Sequence, residues 1–292
     1  MTGLAIIFVL CSAAMHAAWN VLAKRATAPE VFTVWMAAAA VAVFAPVAGY
    51  LLVVDPPNLT GWAFIAGTIV LHTGYFTFLG RAYRDGDLSM VYPLARGSGI
   101  ALVPAVAYFV LGETLSWQAA VGVALVVAGI FGVSGSIFGR SSSRASFVRS
   151  LAQPGLVFAL LTGVMICGYS VLDKEGVKHV SPLLYVTLLT AGGGLGMYLI
   201  IRKRYAPEAF AAEVRARWRT VVVAGFLQTA AYGLVLAALK VSPVSYVAPF
   251  REVGIVIGVG LSAVVLRERV PRWRVLSAAT VAVGAIVIAA AP

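Results

Sequence analysis

Ten apolar stretches, each close to the ~20 residues a helix needs to cross a bilayer, dominate this chain: 3–23, 31–54, 59–80, 88–112, 117–138, 150–172, 180–201, 220–239, 241–266 and 275–291. The residues between them are too few to hold a soluble domain. The expected fold class is therefore an all-α membrane protein with ten transmembrane helices, because in hydrocarbon each segment has to satisfy its own backbone polar groups. Composition points the same way. With 61% of its residues apolar and 11% charged, against about 25% charged in an ordinary soluble domain, the chain lacks the polar surface to cover a water-soluble core.

The net charge of +11 would suggest nucleic acid or an acidic surface in a soluble protein, but here its distribution reads as topology. Seventeen of the 22 Lys and Arg residues fall in the connections after stretches 1, 3, 5, 7 and 9, whereas only Lys174, Lys178 and Lys240 fall on the opposite side. The positive-inside rule then places the first set in the cytoplasm and both chain ends outside it. Stretch 1 has no basic residue before its apolar core and runs straight into Lys24-Arg25, so it reads as a retained helix rather than a cleaved leader. Cys11 and Cys167 both lie in apolar stretches and are expected to be small buried side chains rather than a disulfide framework.

The sequence repeats itself. Arg96, Gly99, Glu113 and Gly129 recur 155 residues later as Arg251, Gly254, Glu268 and Gly284, and Leu71-His72-Thr73 and Pro93 recur at 156 as Leu227-Gln228-Thr229 and Pro249. Near the start the offset is 150, pairing Trp19-Asn20-Val21-Leu22-Ala23-Lys24 with Tyr169-Ser170-Val171-Leu172-Asp173-Lys174. Each half carries five spans, an odd number, so the second enters the membrane from the opposite side. An inverted repeat of this kind is the signature of transporters whose halves rock about a site near the midplane. The expected division is a first repeat over 1–139, a polar, basic, Ser-rich cytoplasmic linker over 140–149, and a second repeat over 150–292.

The run from Arg81 to Gly97, which contains Tyr92-Pro93-Leu94-Ala95-Arg96, followed by Leu111-Gly112-Glu113, Gly122 and Gly129, resembles an EamA-type domain of the drug/metabolite transporter superfamily. Ser245-Tyr246-Val247-Ala248-Pro249-Phe250-Arg251-Glu252, Leu266-Arg267-Glu268 and Gly284 form a weaker second copy, and His16 to Asn20 with Lys24 fit the first helix of such domains. The likeness covers nearly the whole chain. Within the superfamily it is similar to ten-helix amino-acid exporters of the YddG type, which implies export of small metabolites, amino acids foremost. The second half departs from the pattern at Val180-Ser181-Pro182 and has Tyr169 where the first has Trp19, so the two halves need not play symmetric roles.

Polar groups inside the spans mark the candidate site. A guanidinium at mid-helix costs about 2.5–3.5 kcal/mol to insert, so Arg96 and Arg251 must be paired, hydrated or functional. As cations lining a water-filled cavity, on opposite sides of the midplane, they could hold a carboxylate; as structural groups they would bind backbone carbonyls or Glu252. Glu252 reads as the only acid deep in a span, able to carry a coupling proton or to neutralise an arginine on another helix. His72 with Tyr75, and Gln228 with Tyr232, each share a helix face at equivalent places in the two halves, and His16, Trp19 and Asn20 sit on successive turns of the first span. Together with Tyr92 and Tyr246 from the resemblance, these make twelve expected substrate-binding residues. Pro93 and Pro249 each remove a helical hydrogen bond, so a kink is expected beside each arginine. Gly254/Gly258 and Gly192 to Gly196 read as close-packing surfaces.

The sequence holds no HExxH, GxxxxGK[ST] or CxxC, so no metal, nucleotide or other cofactor is expected. The leading expectation is a secondary transporter of the bacterial inner membrane exporting small metabolites by alternating access. Its partners would be a small-molecule substrate and the bilayer, with no nucleic acid, and the chain could work as a monomer. Alternatives are a carrier for drugs or nucleotide sugars, an intramembrane transferase acting on a lipid-linked substrate, or a passive channel.

Overall fold

The computed structural model describes residues 1–23, 26–86, 88–133, 154–264 and 270–292. The expected linker over 140–149 lies outside the described residues, as do Lys24, Arg25, Arg267, Glu268 and Arg269.

The described residues form helices and no strands: α1 (Gly3–Ala23), α2 (Pro29–Val54), α3 (Leu59–Asp85), α4 (Leu88–Leu111), α5 (Trp117–Val133), α6 (Pro154–Gly176), α7 (Pro182–Ile201), α8 (Pro207–Val241), α9 (Val244–Phe250), α10 (Val253–Val264) and α11 (Arg272–Ala290). Two spans differ from expectation. Stretch 9 is not one helix but α9 followed by α10. Pro249 offers no N–H, and the chain tightens after it into i→i+3 bonds, with Glu252 N–H donating to the Pro249 carbonyl at 3.1 Å and Ile255 N–H to that of Glu252 at 2.9 Å. Pro93, by contrast, leaves α4 continuous. Stretch 8 begins earlier than its apolar core: α8 starts at Pro207 and bends at Arg217, whose φ of −137° is not helical.

The packing follows the inverted repeat. Helix α1 packs on α8 and α10 while its counterpart α6 packs on α3 and α4; α2 packs on α7; and α5 packs on α11. The α5–α11 contact is closest at its glycines. A Cβ on Gly122 would lie 2.8 Å from the Gly284 carbonyl oxygen, and one on Gly284 would lie 2.7 Å from that of Gly122, so any side chain there would push the two backbones apart. This joins the halves along helices without a charged residue in their apolar cores.

One end of the bundle carries the chain termini, and it is closed. Gly112 adopts φ +67°, a left-handed conformation that glycine enters freely, and Glu113 follows this turn. Its carboxylate accepts the N–H groups of Val244 and Ser245, both at 2.9 Å, and the Ser245 hydroxyl at 2.6 Å. It thereby satisfies two of the orphan donors at the start of α9. Lys174 Nζ donates to the carbonyls of Leu239 at 2.6 Å and Ser242 at 2.9 Å, and the Thr2 N–H donates to Ser242 Oγ at 3.0 Å. The other end, which carries Arg81, Arg84, Arg202, Lys203, Arg204, Arg272 and Arg274, is referred to below as the basic end.

Candidate functional site

A cavity of about 1100 Å³ occupies the centre of the bundle and opens towards the basic end, with residues such as Asn20, Tyr83, Val133, Val270 and Arg274 on its walls near that end. Eleven of the twelve expected binding residues line it: His16, Trp19, Asn20, His72, Tyr75, Tyr92, Arg96, Gln228, Tyr232, Arg251 and Glu252. Tyr246 does not. It is the third residue of α9, at the closed end, where its hydroxyl donates to the Pro292 carbonyl at 3.0 Å and accepts the Ser116 N–H at 3.2 Å. Its place in the repeated motif gave no hint of which end of the helix it would occupy.

Helices α2 and α7 supply wall residues that the sequence did not single out, among them Thr33, Ala37, Leu189, Thr190 and Met197. Of the glycines expected to serve packing, Gly192, Gly194 and Gly196 do face Ile69, Ala37 and Thr73, but a Cβ on Gly258 would meet nothing within 4 Å and the residue borders the cavity. Cys167 is buried, whereas Cys11 is exposed, on a face of α1 turned away from the bundle.

The floor of the cavity holds the charges. Arg96 Nε donates to Glu252 Oε2 at 3.0 Å, and Arg96 Nη2 lies 2.9 Å from Oε1. The second approach lacks hydrogen-bond alignment, so Oε1 has no hydrogen-bond partner although it belongs to the ion pair. Of the two roles open to Glu252, neutralising an arginine on another helix is the one its geometry displays. Arg251 is different. Its guanidinium sits over the Tyr232 ring, 5.2 Å from the centroid, and no carboxylate among the described residues lies within ion-pair distance of it. Both arginines border the same floor, rather than standing one at each end of the path. Beneath this floor a separate void of about 20 Å³, room for one water, is bordered by the same Arg96, Tyr169, Tyr232, Arg251 and Glu252 together with apolar Ile100, Val235 and Val247.

Aromatic rings form the wall above the floor. His72 stacks on Tyr169 with centroids 4.2 Å apart and meets Tyr232 edge-on at 5.6 Å, and Tyr75 meets Tyr169 edge-on at 6.1 Å. His72 Nδ1 lies 3.0 Å from the Thr68 carbonyl oxygen, which fixes the ring. On α1, Trp19 Nε1 donates to His16 Nδ1 at 3.2 Å and Asn20 Nδ2 to the His16 carbonyl at 2.7 Å.

Two buried acids escaped the sequence reading. Asp173, fully buried, accepts hydrogen bonds from Tyr232 at 2.6 Å and Tyr185 at 2.8 Å. It fell one residue beyond the expected end of stretch 6, whereas α6 continues to Gly176; Val177 and Val180, apolar beyond the lysine, were the available signal. Glu213, on the early part of α8, accepts the N–H groups of Thr27 and Ala28 at 3.4 and 3.2 Å at the start of α2 and lies 3.6 Å from Arg217 Nε.

Comparison with known proteins places this architecture. A crystal structure of a protein described no further superposes on 98% of this chain and 97% of its own, with a TM-score of 0.73 at 17% identity, a likeness of fold. Over 66 residues the chain is 41% identical to the multidrug resistance protein EbrB of Bacillus subtilis (strain 168) and 38% identical to that of Bacillus atrophaeus. Each match covers 23% of this chain and 56% of the relative, so the chain spans little more than half the length of the curated relatives it matches. The model of the EamA-like transporter family matches twice, over residues 3–135 and 153–290. A central cavity between two copies of one domain, matched over nearly the whole sequence, establishes that the chain belongs to the EamA-like transporter family.

Proposed function

We propose that the chain is a secondary transporter that exports small metabolites bearing a carboxylate, amino acids foremost, across the bacterial inner membrane by alternating access. The observation that carries this reading is Arg251: an arginine on the cavity floor, held by a ring face and without a carboxylate partner among the described residues. Its planar fork of donors suits a carboxylate. The ammonium of an amino acid has the rings of Tyr75 and Tyr169 on the cavity wall, which attract a cation. A second reading has its own support. The cavity, about 1100 Å³ and walled by rings, exceeds what an amino acid needs and suits larger apolar solutes, in keeping with the name of the EbrB relatives.

Purified full-length protein in liposomes tests both readings. Counterflow of a panel of labelled amino acids, set against cationic drugs, should show accumulation of at least one amino acid. Arg251→Ala should weaken its apparent affinity about tenfold or more, the equivalent of one charge-assisted hydrogen bond. Accumulation of drugs alone, or an Arg251→Ala protein indistinguishable from the wild type, would overturn the amino-acid reading. The orientation is part of the proposal: the excess of basic residues at the open end puts that end in the cytoplasm and both termini outside. A C-terminal alkaline phosphatase fusion should be active, and activity of a reporter that works only in the cytoplasm would reverse the assignment.

A further inference from the structure

Arg96 and Arg251 are equivalent positions of the two repeats, yet they are held differently. Arg96 meets the Glu252 carboxylate directly. Arg251 lies over the ring of Tyr232, and it is the hydroxyl of that ring that meets a carboxylate, donating to Asp173 Oδ2 at 2.6 Å. The other oxygen of Asp173 accepts the Tyr185 hydroxyl at 2.8 Å, and Tyr185 also reaches the Phe64 carbonyl on α3 at 3.3 Å. Asp173 is thus anchored from α6 to α7, α8 and, through Tyr185, α3. Its neighbour Lys174 spends its ammonium on the carbonyls of Leu239 and Ser242. At the repeat-equivalent positions of Asp173 and Tyr232 the first half has Ala23 and Phe76, so the device exists in the second half alone.

We propose that Asp173 is a positioning residue for substrate recognition, pinning Tyr232 as the platform that presents the Arg251 guanidinium to the cavity. A cation held by a ring face keeps its N–H donors, whereas one in a direct ion pair spends them, as Arg96 does. Placing the acid behind the ring compensates the arginine's charge at one remove and leaves its fork for the substrate. One short phenol–carboxylate bond holds Tyr232 to Asp173 and a second, from Tyr185, holds Asp173 itself; charge-assisted bonds of this kind are the stronger class. The proposal rests on the reading that the substrate carries a carboxylate.

The test uses the full-length protein in liposomes, with the best-transported amino acid of the panel and its carboxamide as probes, and measures KM and maximal rate for each. The wild type should prefer the acid to the amide. Tyr232→Phe keeps the ring and removes the anchoring hydroxyl, and Asp173→Asn weakens the acceptor. Each should raise KM for the acid about tenfold more than KM for the amide, and so shrink the preference. An equal loss for both probes in Tyr232→Phe, or an unchanged preference, overturns the positioning role. A wild type blind to the difference between acid and amide removes the carboxylate reading itself, and this proposal with it.

Discussion

The seam between α4 and α6 and the seam between α1 and α10 are the same contact made twice, because Gly99 corresponds to Gly254 and Gly163 to Ala13. In the first seam the backbones nearly touch. A Cβ on Gly99 would lie 2.8 Å from Ile166 and 3.1 Å from the Gly163 carbonyl oxygen, and one on Gly163 would collide with the Ser98 hydroxyl. The closeness extends towards the terminal end, the half that the inversion matches to the basic half of the second seam, where Ile100, Val103, Cys167 and Val171 join one buried cluster. In the second seam a Cβ on Gly254 would stand 3.7 Å from that of Ala13, an ordinary contact, and one turn further on Gly258 faces open space. Two copies of one interface, one shut and one parted along its basic half, are what the proposed alternating access would present in a state facing one way. The sealed termini and the cavity open at the basic end belong to the same state.

The comparison breaks most severely at the charge that bridges the seams. Arg96 on α4 and Glu252 between α9 and α10 form one ion pair, so Arg96→Ala leaves a buried carboxylate unpaired and should cost about 3–5 kcal/mol. Thermal unfolding in detergent should show it, with Arg96→Ala/Glu252→Gln recovering much of the loss. A smaller effect is expected from overpacking the tight seam. Gly163→Val forces α4 from α6, at about 1–3 kcal/mol, enough to move the balance about tenfold towards the state open at the terminal end. A cysteine at Ile100 should then gain reactivity to a charged thiol reagent added from that end. Gly254→Ala sharpens the comparison at the other seam. It fits the present state and should leave the melting temperature almost unchanged, yet slow counterflow severalfold, because in the proposed alternating-access cycle the seam it stiffens has to close.

Much of this arrangement was legible in the residues. The spans, the duplication and eleven cavity residues follow from apolar length, constant offset and the high cost of polar groups in lipid. Other features were not. Pro93 and Pro249 look alike in sequence, but only the second ends a helix, because the hydrogen bond a proline removes can be lost without a break when neighbouring helices hold the rest. Asp173 was hidden by a boundary that stopped at an apolar edge while the helix ran on. The pairing of Glu252 with Arg96 rather than with its neighbour Arg251 depends on which helices meet across the bundle, and the local pattern carries no such information. Tyr246 shares a motif with cavity residues but sits on the far side of the seal.

The exchange of seams is the central claim, and distance measurements test it without a known substrate. In a background with Cys11 and Cys167 replaced, spin labels at Ala23 and Val264 report the basic end of α1 and α10, and labels at Leu111 and Lys178 report the terminal end of α4 and α6. In lipid nanodiscs, pulsed electron resonance should show the Gly163→Val substitution shortening the first distance and lengthening the second together. A change confined to one end, or none at either, would contradict the account.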